Sequence, residues 1–278
     1  MDIFYCDGTF CRADEAVIPV TDLSVLRGFG VFDFLRTYGG RPFHLEAHME
    51  RLERSAGLLG IPLPVSPDAL TDLVHETLRR NDHEESNIRI ILTGGVSADG
   101  FIPDGKPRLL IMVTPVAVIP EAWYTEGVKI VTIPFSRYMP GAKSINYIHA
   151  IHAMQEARTR GAIEALYVKP DGYATECTTS NIFACRAGKI VTSGTTILPG
   201  ITRQVVLDMP ELSGILEIQD ITLDDFLTAD EVFLTASNKE VAPVVTIDDN
   251  TIGTGRPGEM TRRVMRLFAE YTRRYAEQ

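Results

Sequence analysis

Cysteine is scarce in this chain of 278 residues, with four copies at positions 6, 11, 177 and 185, and none of the spacings is of the kind that holds a metal. A chain of this length buries a sizeable core without cross-links, so disulfides are not required and a reduced, cytoplasmic setting is expected. Long hydrophobic runs are missing as well. The longest, Leu109–Val118, is broken by Pro115 and falls far short of a membrane span, so it reads as a buried strand. The opening Met-Asp-Ile-Phe-Tyr-Cys-Asp-Gly has no basic region ahead of an apolar one, and no secretory signal is expected. Positive charge is in short supply: 27 Lys and Arg against 37 Asp and Glu leave a formal net charge of −10. That balance argues against nucleic acid or an anionic membrane as the main partner. It leaves room for an anionic small molecule held by a local pair of arginines.

Strand and helix signals alternate along the first part of the chain. Ile3–Phe10 around Asp7-Gly8 reads as a hairpin. Val31–Tyr38 is rich in β-branched and aromatic residues and ends at Gly39-Gly40, which predicts a second hairpin leading into Pro42-Phe43. Apolar residues at 45, 49, 52, 56 and 59 have helical spacing. Ser66-Pro67-Asp68 supplies an N-cap and a proline at the first helical position, and Leu70, Leu73, Val74 and Leu78 give the buried stripe of a second helix. Strands over Asn87–Thr93 and Arg108–Val116 complete an α/β or α+β first domain, residues 1–116. Thr114–Glu121 carries two prolines, and the interdomain linker is drawn at 117–127.

From 128 to 278 strands dominate. They are expected over Val128–Ile133, Ile163–Val168, Tyr173–Cys177, Asn181–Cys185, Lys189–Thr192, Ile215–Ile218 and Glu231–Thr235. Helices are expected over Asn146–Arg160, Ile201–Met209 and Gly258–Ala276, the last with Met260, Val264, Phe268, Tyr271 and Tyr275 on one face. This pattern fits an antiparallel-rich second domain with helices at its periphery.

Chemistry concentrates between Lys143 and Arg203. A lysine sits in a loop, Lys143-Ser-Ile-Asn-Tyr147; a carboxylate, Glu176, lies on a strand; and Leu198-Pro-Gly-Ile-Thr-Arg203 is a glycine turn that opens a helix. These parts can hold pyridoxal 5'-phosphate (PLP): an amine for the Schiff base, an anion for the pyridinium and N–H groups for the phosphate. With Glu176-Cys-Thr-Thr-Ser-Asn-Ile-Phe183, they resemble the fold-type IV PLP-dependent enzymes, or class IV aminotransferases. That family includes branched-chain and D-amino-acid transaminases, (R)-amine transaminases and aminodeoxychorismate lyase. The resemblance covers nearly the whole chain; one departure is a loop between Thr192 and Leu198 that is a residue or two shorter than usual.

The resemblance implies a two-domain fold, with a small α/β N-terminal domain and a larger pseudo-barrel C-terminal domain that binds the cofactor. It makes Lys143 the Schiff-base lysine and proton carrier, and Glu176 the partner of the pyridine nitrogen. Arg51 on the first-domain helix, the N–H groups of Ile201 and Thr202, and the turn Ser237-Asn238 would hold the phosphate. Leu198 would pack on the ring face and Tyr147 would donate to the ring oxygen. Phe32, Phe34 and Arg36 would alternate along a substrate wall, with Arg27 and Arg89 offering guanidinium groups to carboxylates. A homodimer with a shared active site is implied too.

Substrate choice stays open between several readings. The Gly-rich stretch Thr93–Phe101 follows a strand without a helix pattern, so it is no nucleotide fingerprint. It lies where D-amino-acid transaminases carry an Arg-x-His carboxylate trap, which this chain lacks, as it lacks the Gly-Met-Gly loop of branched-chain enzymes. A transaminase acting on D-amino acids is favoured, with Arg27 replacing the trap. An L-branched-chain transaminase is the near rival, drawing on Arg89 and the aromatic wall. An aminodeoxychorismate-type lyase would use the same lysine and glutamate, and a PLP-binding protein without catalysis is the remaining class. His149 and His152 have no acidic partner at ligand spacing, so no metal is expected.

Overall fold

The computed structural model describes residues 1–277 and divides into two compact units. The first holds Met1–Ala117 together with two later segments, Ala142–Tyr147 and the chain from Arg273 onward; the second holds Val118–Gly141 and Ile148–Thr272. The lysine-bearing segment therefore belongs with the first unit, although in sequence it lies beyond the linker. No helix among the described residues is long and apolar enough to cross a membrane.

The first unit opens with the hairpin β1 (Ile3–Cys6) and β2 (Thr9–Arg12), turned by Asp7 and Gly8 at φ 49° and 100°. Positive φ at both central residues gives the turn whose twist matches the strands, which is why Asp-Gly marks it. A short helix, α1 (Leu23–Arg27), follows, capped by the Asp22 side chain and closed by Gly28 in the left-handed region. Next come β3 (Gly30–Tyr38), β4 (Arg41–Pro42), α2 (Leu45–Leu59) and α3 (Pro67–Arg79). Ser66 caps α3 as its sequence requires, accepting from the Ala69 N–H at 3.3 Å. Strands β5 (Ser86–Thr93) and β6 (Arg108–Pro115) complete an antiparallel sheet of order β2-β1-β6-β5-β3-β4. One face meets α2 and α3 in a core of Leu35, Leu52, Val74, Ile90 and Ile111, all fully or nearly fully buried.

The second unit runs α4 (Ala122–Thr125), β7 (Val128–Pro134), α5 (Ile148–Thr159), β8 (Glu164–Val168), β9 (Tyr173–Cys177), β10 (Asn181–Arg186) and β11 (Lys189–Thr192). It continues through α6 (Ile201–Leu207), β12 (Leu216–Ile218), β13 (Ile221–Thr222), α7 (Leu223–Leu227), β14 (Glu231–Ala236), β15 (Glu240–Ile247), β16 (Asn250–Thr251) and α8 (Glu259–Ala276), which belongs to this unit up to Thr272. Nine strands are ordered β12-β11-β10-β14-β15-β7-β8-β9-β13, with β16 on β15, in one mixed, half-barrel sheet. Its core includes Ile130, Leu166, Leu234, Ala242 and Ile247. The architecture is α/β in the α+β sense.

Strand β15 has no counterpart among the sequence expectations, because Pro243 interrupts its apolar run and a proline argues against a central strand. The ladder accommodates it: Pro243 faces Phe233 of β14, and pairing with β7 begins only at Val244.

Candidate active site

In the first unit, two backbone bonds and one to a side chain stitch the lysine loop to the start of β3 and to α2. The Phe32 N–H donates to the Lys143 carbonyl at 2.9 Å, and the Ile145 N–H donates to the Gly30 carbonyl at 3.0 Å. The Lys143 N–H in turn donates to Ser55 Oγ of α2 at 3.1 Å. A loop residue is thereby held like a strand residue, with its Nζ 4.6 Å from the centre of the Phe32 ring. The Tyr147 ring meets the same phenylalanine edge-on at 5.5 Å.

Alternation along β3 sends Phe32, Phe34 and Arg36 to one side and Val31, Asp33 and Leu35 to the other, toward α2. Arg89 stands opposite Phe34 on β5, so its guanidinium lies 5.2 Å from both the Phe32 and the Phe34 rings. Lys143, Tyr147 and Arg89 thus gather on one aromatic side chain. Arg36 and Arg27 are engaged elsewhere. Arg36 covers Tyr38 at 4.5 Å and donates to the Thr37 carbonyl. Arg27 lies 4.5 Å over Phe101 and donates to the Leu26 carbonyl.

Asp33 is a carboxylate on the buried face, with no exposed surface. Arg51 Nε and Nη2 donate to its two oxygens at 2.9 and 2.8 Å, and His48 Nδ1 lies 2.6 Å from Oδ1. Burial would raise the Asp33 pKa, but the charges and hydrogen bonds of Arg51 and His48 outweigh it and hold the carboxyl well below the usual range. An ionised Asp33 makes Nδ1 the proton-bearing nitrogen of His48. Burial, helped by Arg51 and Lys143 and opposed by Asp33, lowers the His48 pKa. Neither Asp33 nor His48 was singled out in the sequence as a site residue. The available signal was an aspartate on the inward face of an apolar strand, facing a histidine and an arginine three positions apart on one helix.

In the second unit, Glu176 lies one residue before the end of β9 with 5% of its surface exposed. Arg137 donates to Oε1 at 2.7 Å and the Leu198 N–H to Oε2 at 2.9 Å, so the carboxylate is fixed at both oxygens. Arg137 carries no spacing signal; only the fold brings it to Glu176. The Asn181 side chain donates to the Leu198 carbonyl at 2.9 Å, which anchors the residue from its other side. Gly200 precedes α6 and has no side chain to cap it, leaving the first-turn N–H groups of Ile201 and Thr202 aimed at any anion placed there. A Cβ at Gly200 would collide with Asn181 Oδ1, so any side chain there must displace Asn181. Thr202 is buried, Ser237 half-buried and Asn238 exposed in the turn between β14 and β15.

Residues 30–247 match the amino-transferase class IV family model. The chain belongs to the class IV aminotransferases. It is 32% identical over 264 residues to the D-alanine aminotransferase of Bacillus licheniformis, covering 93% of each chain. It is also 32% identical over 280 residues to the branched-chain-amino-acid aminotransferase of Pseudomonas aeruginosa, covering 96% of this chain and 91% of that one. Among solved structures, the T.th. branched-chain amino acid aminotransferase with pyridoxamine 5'-phosphate superposes with a TM-score of 0.90 at 29% identity, covering 98% of this chain and 94% of that one.

Class IV aminotransferases use PLP, and this one is a PLP-dependent enzyme. The donor set fits that cofactor. The first unit offers a primary amine on a fixed loop; the second offers a carboxylate with both oxygens fixed, and a helix start with no side-chain cap.

Proposed function

We propose that this aminotransferase moves an amino group between a D-amino acid and a 2-oxo acid, with Arg27 and Arg89 receiving substrate carboxylates. The observation that carries this reading is the place of Arg27. Its guanidinium rests on Phe101, with Gly100 alongside, so the Gly-rich loop holds an arginine that its own sequence lacks. Arg89 adds a second guanidinium on the ring that also carries Lys143. Each charge-assisted contact to a carboxylate is worth about 1.5–3 kcal/mol.

When bound, PLP draws electrons from the substrate Cα–H bond, which no side chain of the protein does. Lys143 Nζ supplies the amine that secures the cofactor and takes the Cα proton. Glu176, held at both oxygens by Arg137 and the Leu198 N–H, would hold a proton on the pyridine nitrogen. Arg51, the N–H groups of Ile201 and Thr202, and the turn Ser237-Asn238 would bind the phosphate; Leu198 would cover the ring and Tyr147 would donate to its oxygen. Phe32 and Arg36 line the substrate wall. Two copies of the chain form the working enzyme.

The L-branched-chain reading is favoured by the apolar wall of Phe32 and Phe34 beside Arg89. Rapid mixing of the PLP-loaded enzyme with D- and L-glutamate and with D- and L-leucine separates the two. Loss of the bound-cofactor absorption with the D-series is expected; a response to the L-series alone would overturn the proposal. Pyruvate release without an amino acceptor would point to a lyase instead.

A further inference from the structure

Glu164 of β8 has no exposed surface, and Lys239, just after the turn Ser237-Asn238, has 6%. Their ion pair, Nζ to Oε1, spans 2.8 Å. Lysine and glutamate are seldom buried, and a buried pair adds little stability over apolar packing, so its use lies in what it orients. The surrounding bonds show what that is. Both Glu164 oxygens collect donors from one three-residue loop. Thr178 Oγ1 donates to Oε2 and Thr179 Oγ1 to Oε1, the Thr179 N–H reaches Oε2 at 3.0 Å, and Ser180 Oγ reaches Oε1 at 2.9 Å. This loop begins two residues after Glu176 and joins β9 to β10. On the other side, Lys239 Nζ donates to Thr179 Oγ1 at 2.8 Å and lies 3.4 Å from Asn238 Oδ1.

One buried charge pair therefore ties the loop after Glu176 to the turn after β14. Burial alone would raise the Glu164 pKa, but Lys239 and the hydroxyls outweigh it and keep it lowered, so the carboxylate is anionic near neutrality. We propose that Glu164 and Lys239 are a positioning pair that sets the turn Ser237-Asn238 in the conformation that grips the cofactor phosphate. The inference rests on the reading of that turn as a phosphate site. Neither residue touches the cofactor; both act through the loops they hold.

The test compares PLP with pyridoxal, which lacks the phosphate. Wild-type enzyme, stripped and reloaded, is titrated with each compound by absorption and equilibrium dialysis, beside the charge-neutral variant Glu164→Gln/Lys239→Met. The expected result is a loss of PLP affinity of about tenfold, the scale of one charge-assisted hydrogen bond, with pyridoxal affinity unchanged. Unchanged affinity for both compounds, or an equal loss for both, would overturn the inference. Thr179→Val keeps the ion pair and removes one bridging hydroxyl. Should the double variant not fold, a drop of severalfold in the PLP-to-pyridoxal preference of Thr179→Val supports the pair, and an unaltered preference rejects it. A wild-type enzyme that does not prefer PLP over pyridoxal would instead discredit the phosphate site itself.

Discussion

Arg51 and His48 stand three positions apart on α2, and both end on the carboxylate of Asp33. The guanidinium presents its Nε–Nη2 edge to Asp33 and is fixed by it in direction. Asp33→Asn removes the buried charge on which Arg51 and His48 converge. A loss of about 3–5 kcal/mol in urea-unfolding free energy is expected. His48 has its own signature with pH. The folded protein holds it below the ordinary histidine value of about 6.5, so the unfolded chain takes up the proton first. Its contribution to stability is complete above that value and is lost as pH falls through it. Thermal midpoints measured from pH 7.5 to 5 are expected to decline in the wild type, and a His48→Gln variant is expected to lack this limb. Arg27 reports on substrate rather than stability. Arg27→Ala is expected to raise KM for a D-amino acid by roughly tenfold or more with the fold intact, given the strength of a guanidinium–carboxylate contact; an unchanged KM would remove Arg27 from the site.

Elements differ in how openly their residues announce them. Ser66-Pro67 marks the start of α3, and the structure places the cap at Ser66. Ser66→Ala is expected to cost about 1 kcal/mol, read as a lowered thermal midpoint with unchanged PLP binding. The Asp7-Gly8 hairpin, the β3–β4 turn and the amphipathic spacing of α2 were equally legible, because each depends on backbone geometry or burial within a few residues. The short helices α1, α4 and α7 escaped because four or five residues carry too little periodicity to register. Strand β15 escaped for the opposite reason: a local breaker, Pro243, was overruled by its neighbours in the sheet. Gly200 joins element to site. Gly200→Ala would push Asn181 off the Leu198 carbonyl, and weaker PLP binding with near-normal stability is the expected outcome by absorption titration.

For the whole molecule, buried carboxylates set the acid limit. Asp33 and Glu164 are both held below their ordinary values, so the unfolded chain binds protons that the folded chain refuses. Their stabilisation is complete above the ordinary carboxylate range of about pH 4–4.5 and is lost as pH falls below it. Unfolding on acidification is thus expected to steepen below about pH 4.5, and the Glu164→Gln/Lys239→Met variant is expected to show a shallower acid limb in the same titration. The net charge of −10 adds mutual repulsion at neutral pH that protonation relieves, an opposing and salt-sensitive trend that about 0.5 M salt would suppress. Light scattering of the loaded enzyme tests the dimer, with a mass twice that of the chain expected.

The sequence by itself determined the family, the cofactor and most strands and long helices. Turn chemistry, hydrophobic period and the motifs around Lys143 and Glu176 are all written in short stretches of chain. Only the tertiary structure decided that Lys143 rides on β3 and Ser55, that Asp33 meets α2, that Arg137 fixes Glu176 and that Lys239 finds Glu164. A charged side chain carries no local mark of its partner. Burial forces it to find one, and which one it finds depends on strands and helices that meet only when the chain folds.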